Sequence, residues 1–379
     1  MHQRWGARLL VVTLLASGAA CASPAGAPED ELTQIARTPP APTATVSPTA
    51  TPTPTPESAA AAPTTPPAPA GASVTISAVG DISLARQVND WMAENGAGYP
   101  YELIQPLLTG DIVFGNLEGA LTDGGEPWPK AFTFRTPPRF ASGLAAAGFD
   151  IVSLANNHAM DYGVTGLLDT MSTLDQAGVA YAGGGICGSC AAMGAVVSAS
   201  GLDVAFIACA RSPVEGTGFT IEEWSAEADG AGLFVCNADF LAIWIEQARQ
   251  SSDFVVVSIH AGDEYVNAPN ATQRELAEAA LAAGADVVLG HHAHVVQPVE
   301  QRGNQLIAWG LGNFIFDLDQ WDLAGIPEPR VSLILNITLT KGVGVTAWEA
   351  VPVTLDAEAD RPRPATPDEA AVLQQLVQP

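Results

Sequence analysis

Repeatedly along this chain an apolar run rich in Val and Ile stops, and within a few residues an Asp, Asn or His follows. The run at 74–79 ends at Gly80-Asp81, that at 112–114 at Gly115-Asn116, and that at 151–154 at Ala155-Asn156-Asn157-His158. Residues 254–259 end at His260, 287–289 at Gly290-His291-His292, and 306–309 at Gly310-Leu311-Gly312-Asn313. Runs this short and this apolar are strands buried on both faces. Helix-like stretches at 84–94, 140–147, 164–177, 239–250 and 271–283 separate them, and a further strand is expected at 204–207. Strands alternating with helices predict an α/β sheet architecture. In such sheets ligand-binding groups gather beyond the carboxyl ends of the strands, so polar residues scattered in sequence converge in space. Residues 331–338 and 344–353 follow one another with no helix between them, which predicts an antiparallel addition.

The first 22 residues have the layout of an export signal. Arg4 and Arg8 precede an apolar stretch at 9–15, and small residues follow. The stretch is shorter than the roughly 20 apolar residues that a membrane span needs. Cys21 stands where a lipoprotein signal places its acylated cysteine, with cleavage near Ala20 or Ala22 as the other reading. Residues 23–71 are rich in Pro, Thr and Ala, with Thr-Pro repeats at 51–56, and cannot bury a core. They are expected to be an extended spacer that lifts a domain at 72–356 off the membrane. Residues 357–379 read as a polar tail with one short helix at 367–377. No later segment offers a transmembrane run.

The formal net charge is −26, from 41 acidic and 15 basic residues. Nucleic acid is excluded as a partner, because binding it needs clustered Lys and Arg. Of five cysteines, four remain once Cys21 is set aside: Cys187, Cys190, Cys209 and Cys236. In an exported protein they are expected to form structural disulfides, with the pairing left open.

The strongest local signal is Gly290-His291-His292-Ala293-His294, which holds three of the six histidines. Only His2 lies outside the strand-end motifs. Imidazole is the commonest side-chain ligand for transition metals. Asp81, read alone, suits a helix cap. Glu118 between glycines, and His260 with Gly262 and Glu264, gain weight only from company. Asp, Glu, Asn and His together form a donor set suited to Mn, Zn or Fe. Two such ions about 3.5–4 Å apart can clamp an ester.

Gly80-Asp81, Asn116-Leu117-Glu118-Gly119, Asn156-Asn157-His158 with Asp161 and Gly163, His260-x-Gly262-x-Glu264, Gly290-His291-His292-x-His294 and Gly310-Leu311-Gly312-Asn313-Phe314 resemble, in order, the motifs of the CapA (PgsA-like) poly-γ-glutamate synthesis proteins. That family is similar in fold to the calcineurin-like metallophosphoesterases, so the resemblance implies a four-layer α/β/β/α sandwich. It implies a cell-surface protein, exported and held at the extracytoplasmic face of the membrane, that acts in making or exporting the polymer. One or two divalent ions would be held by Asp81, Glu118, Asn157, His158, His260, His292 and His294. His158, His260 and Asp161 would serve catalysis, with His158 or His260 as proton donor. Asn116, Asn156, Glu264, Asn313 and Arg135 would contact substrate. The partners implied are poly-γ-glutamate or another anionic polymer, and membrane-bound capsule synthase components. Lys130, Arg135 and Arg139 are candidates for a local basic cluster facing that polymer. Calcineurin-like enzymes open with Asp-x-His, whereas here the segment is Asp81-Ile82-Ser83, and Glu118 stands where they carry Asp. A metal-dependent surface phosphoesterase and a non-catalytic polymer-binding scaffold are the rival readings.

Overall fold

The strand Ser73–Ile82 seeds the larger sheet. From Ile76 to Ile82 every residue is buried, on both faces of the pleat. That is the burial expected of a strand covered above and below. In the computed structural model, which describes residues 71–318, 329–357 and 359–378, this strand pairs in parallel with Ile112–Leu117 and antiparallel with Val331–Thr340. Ile112–Leu117 continues in parallel to Ile151–Ser153 and then Ala180–Ala182. Val331–Thr340 continues antiparallel to Gly344–Leu355, the addition that the missing helix predicts.

The second large sheet has a parallel centre. Its order is Val299–Arg302, Gln305–Ala308, Val287–His291, Phe254–Ala261, Leu202–Arg211, Ala195–Ala199. The first and last of these are antiparallel edges. The architecture is mixed α/β with two principal sheets among the described residues. Phe114 of the first sheet stacks on Phe206 of the second with ring centroids 5.5 Å apart, and one buried apolar cluster takes side chains from both. Each such side chain buried contributes about 1.5–3 kcal/mol. A separate cluster lies between the second sheet and the helices Ala238–Arg249 and Ala271–Ala282. Both helices begin where the sequence supplies a cap. Asn237 accepts from the amides of Asp239 and Phe240, and Asn270 with Gln273 forms a reciprocal capping box.

The chain passes from one sheet to the other at 309–313, beside the strand ends. Two glycines permit that crossing. A Cβ on Gly80 would stand 1.9 Å from the Gly312 carbonyl oxygen, and one on Gly290 1.8 Å from that of Trp309. With hydrogen there instead, the Asp81 amide donates to Gly312 at 2.9 Å and the Leu311 amide to Gly290 at 3.0 Å. Asn313 then pairs in register with Asp81.

The segment from 357, expected as a polar tail, adds to the fold. Pro362–Pro364 forms an edge strand against Gly344–Leu355. The expected helix is present as Pro367–Leu376, opened by a Thr366–Glu369 capping box, and it buries Leu373 with Val377 just beyond it. Two apolar residues among many polar ones suffice to dock a helix whose outer face is wet. The cysteines pair as Cys187–Cys190 and Cys209–Cys236. No helix among the described residues is long and apolar enough to cross a membrane. The export signal, Cys21 and the spacer up to residue 70 lie outside the described residues.

Candidate functional site

The strand ends of both sheets meet in one buried polar cluster. Asp81, Asn116, Asn156, His260 and Asn313 have no solvent exposure at all, and Glu118, Asn157, His291, His292 and His294 have little. Ser73–Ile82 and Ile112–Leu117 deliver Asp81 and Asn116 side by side in register. Phe254–Ala261 and Val287–His291 deliver His260 and His291 in the same way. Polar groups survive such burial only when hydrogen-bonded or bound to something.

Most are hydrogen-bonded. The Asn116 amide donates to Asp81 Oδ1 at 2.9 Å, and the Asn156 amide donates to Asn116 Oδ1 at 3.0 Å and to the Leu117 carbonyl at 2.8 Å. The two ring nitrogens of His260 lie 3.3 Å from Asn116 Nδ2 and 2.9 Å from Asn157 Oδ1. His291 Nδ1 lies 3.0 Å from Asp81 Oδ1, and the His292 amide donates to Asp81 Oδ2 at 3.3 Å. His294 Nδ1 lies 2.9 Å from Asn313 Oδ1 and 3.4 Å from Asp81 Oδ2. Asn313 returns a bond to the His294 carbonyl at 3.2 Å.

A second set centres on Asp161. His158 Nδ1 is 2.6 Å from Asp161 Oδ2, which also accepts from the Phe134 amide at 2.6 Å. The Phe134 ring stacks on the His158 ring, centroids 4.1 Å apart. Lys130 Nζ reaches Asp161 Oδ1 at 3.1 Å, Glu215 Oε1 at 3.0 Å and the Asn157 carbonyl. Its charge also faces the rings of Phe219 and Trp224.

The electrostatics split the cluster. Burial acts to raise the Asp81 carboxyl, but hydrogen bonds and charge from His291 and His294 overcome it and hold the group well below its ordinary value. Burial, reinforced by the Asp81 charge, pushes Glu118 well above its own. Burial and the neighbouring His294 lower His292 to about 3, and burial with His292 nearby lowers His260 well below the ordinary imidazole value. For His294 burial opposes the proton, yet Glu118 and Asp81 raise it to about 10. Opposed shifts packed this closely mark functional sites more often than structural ones.

Three atoms break the pattern of satisfied bonding. Glu118 Oε1, His291 Nε2 and His292 Nδ1 are buried with no hydrogen-bond partner. Ligand atoms of Asp81, Glu118 and His294 lie within 4.8 Å of one another, and so do those of Glu264, His292 and His294. Orphaned carboxylate and imidazole atoms in a mixed oxygen and nitrogen set fit a divalent transition metal. His158 and His260 stand outside these two groupings. His158, Asn157, His292, Glu215 and Glu264 line a cleft of about 460 Å³, with Phe132 and Val214 exposed among its other walls.

The expected basic cluster does not form. The Lys130 side chain is wholly buried and paired, so it holds the site together and faces no polymer. Arg135 stacks on Tyr162 and lines a different cleft, with Arg86 and Asp123. Arg139 lies over its neighbour Phe140. Glu264 is exposed at the main cleft, whereas Asn116, Asn156 and Asn313 are too deeply buried to touch a polymer and orient the other groups instead. Sequence reasoning gave no separate role to His291, the partner of Asp81, and it missed Glu215 and Phe134. His291 lay in plain view within the histidine triplet. Nothing local flags Glu215 or Phe134, because long-range packing alone brings them to Lys130 and His158.

Residues 75–318 match the family model described as bacterial capsule synthesis protein PGA_cap. The chain is 31% identical over 293 residues to the PGA biosynthesis protein CapA of Bacillus subtilis (strain 168), covering 76% of this chain and 73% of that protein. It is 30% identical over 312 residues to the capsule biosynthesis protein CapA of Bacillus anthracis, covering 80% of this chain and 72% of that one.

Proposed function

The chain belongs to the PGA_cap family of bacterial capsule synthesis proteins, and on that footing we propose that it acts in poly-γ-glutamate biosynthesis or export at the outer face of the membrane, using a divalent-metal centre at the strand ends. We read the two packed sheets and their helices as the four-layer sandwich of the calcineurin-like metallophosphoesterases. The carrying observation is that Glu118 Oε1 and His292 Nδ1 are each buried without a hydrogen-bond partner. Asp81, Glu118 and His294 would hold an ion, with His292 beside His294. When bound it would supply Lewis-acid polarisation of an ester or amide and a more acidic water.

The remaining groups have roles that follow from their contacts. Asp161, fixed by Lys130 and the Phe134 amide, holds His158 by Nδ1 and leaves Nε2 to pass a proton to a leaving group. Phe134 stacked on the ring limits its rotation and excludes water. His260 and Asn157, bonded to each other, keep one wall of the site in place. Export by the N-terminal signal, acylation of Cys21 and a spacer at 23–71 would set the domain outside the membrane.

Two other readings share this geometry. The His158–Asp161 pair beside an acidic cluster also suits a phosphoesterase, and the same cleft suits a binding protein that turns nothing over. Incubating the Mn-loaded or Zn-loaded chain with poly-γ-glutamate and, separately, with an aryl phosphodiester tells them apart. Cleavage or transfer on the γ-linked polymer supports the capsule reading. Turnover of the phosphodiester alone moves the assignment to a phosphoesterase. Metal binding with no turnover of either moves it to a scaffold.

A further inference from the structure

We propose that Glu264 is a metal ligand, acting with His292 and His294 on the cleft side of the site. The inference rests on the metal-centre reading above and names a donor that this reading does not include.

Two independent observations carry it. The Glu264 carboxylate stands with ligand atoms of His292 and His294 inside one 4.8 Å grouping, and unlike Asp81 and Glu118 it is exposed to the cleft. His292 Nδ1, on a residue only 3% exposed, has no hydrogen-bond partner. An imidazole nitrogen buried without a partner costs free energy that a bound cation would recover.

The backbone holds these three residues together. The Tyr265 amide, next to Glu264, donates at 2.7 Å to the carbonyl of Ala293, which sits between the two histidines. Six non-glycine residues among those described have left-handed φ, and Tyr265, His292 and His294 are three of them, at 61°, 84° and 55°. Strain of this kind persists where the surroundings impose it. The Glu264 loop is thus latched to the histidine loop.

Two imidazoles and one carboxylate leave coordination positions open, as a substrate-binding ion needs. Glu264 and His292 line the cleft, so an ion held there would be within reach of a carboxylate or phosphate oxygen.

Calorimetric titration of the full chain with Zn²⁺ tests the assignment, with Asp263→Asn as the neighbouring control and Asp81→Asn as the control for the deeper group. Glu264→Gln should weaken binding at least about tenfold, the scale of losses seen even for outer-sphere partners, while Asp263→Asn leaves it unchanged. Co²⁺ loaded into the same proteins should show a visible spectrum changed in Glu264→Gln and unchanged in Asp263→Asn. Unchanged affinity and spectrum in Glu264→Gln, with Asp81→Asn impaired, overturns this inference and leaves the metal-centre reading standing. Absence of binding in the unmutated chain overturns both.

Discussion

Lys130 Nζ and Asp161 Oδ1 stand 3.1 Å apart with both side chains wholly excluded from solvent. A buried pair of this kind is costly to break from one side, because the remaining charge is left unpaired. Lys130→Met should therefore lower unfolding stability by about 3 kcal/mol or more, measured by urea denaturation. Asp161 and Glu215 would both lose their cation, so Lys130→Met with Glu215→Gln should cost less than the sum of the two changes made singly. Strict additivity would show that the three groups do not act together.

Gly290→Ala should destabilise the chain by about 1–3 kcal/mol through overpacking. The added Cβ meets the Trp309 carbonyl, and relief of that clash moves the 309–313 crossing that carries Asn313. Gly303→Ala makes a useful comparison, because its Cβ meets nothing within 4 Å although its φ is 64°. A smaller loss at Gly290 than at Gly303 would contradict the close approach of Gly290 to the start of the 309–313 crossing.

The metal-free chain should lose stability on acidification, in part through His292. Its folded value is lowered to about 3 from an ordinary 6.5, so between these the unfolded chain binds more protons than the folded one. The contribution is fully present above about 6.5 and falls away as pH drops toward 3. Asn tolerates left-handed φ, so His292→Asn keeps the backbone while removing the titration. The variant should show a flatter acid limb in thermal melts with chelator present. An identical slope would refute the burial of a neutral imidazole there.

The two disulfides should differ in worth. Cys209–Cys236 closes a span of 27 residues and both residues are buried, whereas Cys187–Cys190 closes a span of 3. Loop-closure entropy assigns the longer one about 3.5 kcal/mol and the shorter one less. Paired Cys→Ala variants, compared by denaturant midpoint, check the order.

Cys21→Ser should release the chain from the membrane fraction into the medium while leaving the folded domain intact. Retention of Cys21→Ser in membranes would sink the lipid anchor.

The strand ends were legible because each couples an apolar run to a polar residue, and that pairing needs no knowledge of the partner strand. Asp81, Asn116, Asn156, Asn157, His158, His260, His291, His292 and Asn313 all emerge from it. The five helices lie within a few residues of their expected positions, as Gln87–Asn95, Ala141–Ala147, Gly163–Ala177, Ala238–Arg249 and Ala271–Ala282. What stayed hidden depended on contacts far apart in the chain. Lys130 reads as a surface base until Asp161, Glu215, Phe219 and Trp224 are seen around it. The segment after 357 reads as a tail because only Leu373 and Val377 mark the face that docks. The place of Glu264 beside His292 and His294 depends on the latch from the Tyr265 amide to the Ala293 carbonyl, which no local pattern shows.

The most direct test of the metal centre is elemental analysis of the purified full chain after loading with Mn, Zn or Fe and removal of free ion, alongside His294→Ala. His294 is the residue common to both ligand groupings. The account predicts at least one tightly held divalent ion per chain, lost in His294→Ala. A chain that retains none under any of the three metals, or a His294→Ala variant that retains as much as the unmutated protein, would contradict it.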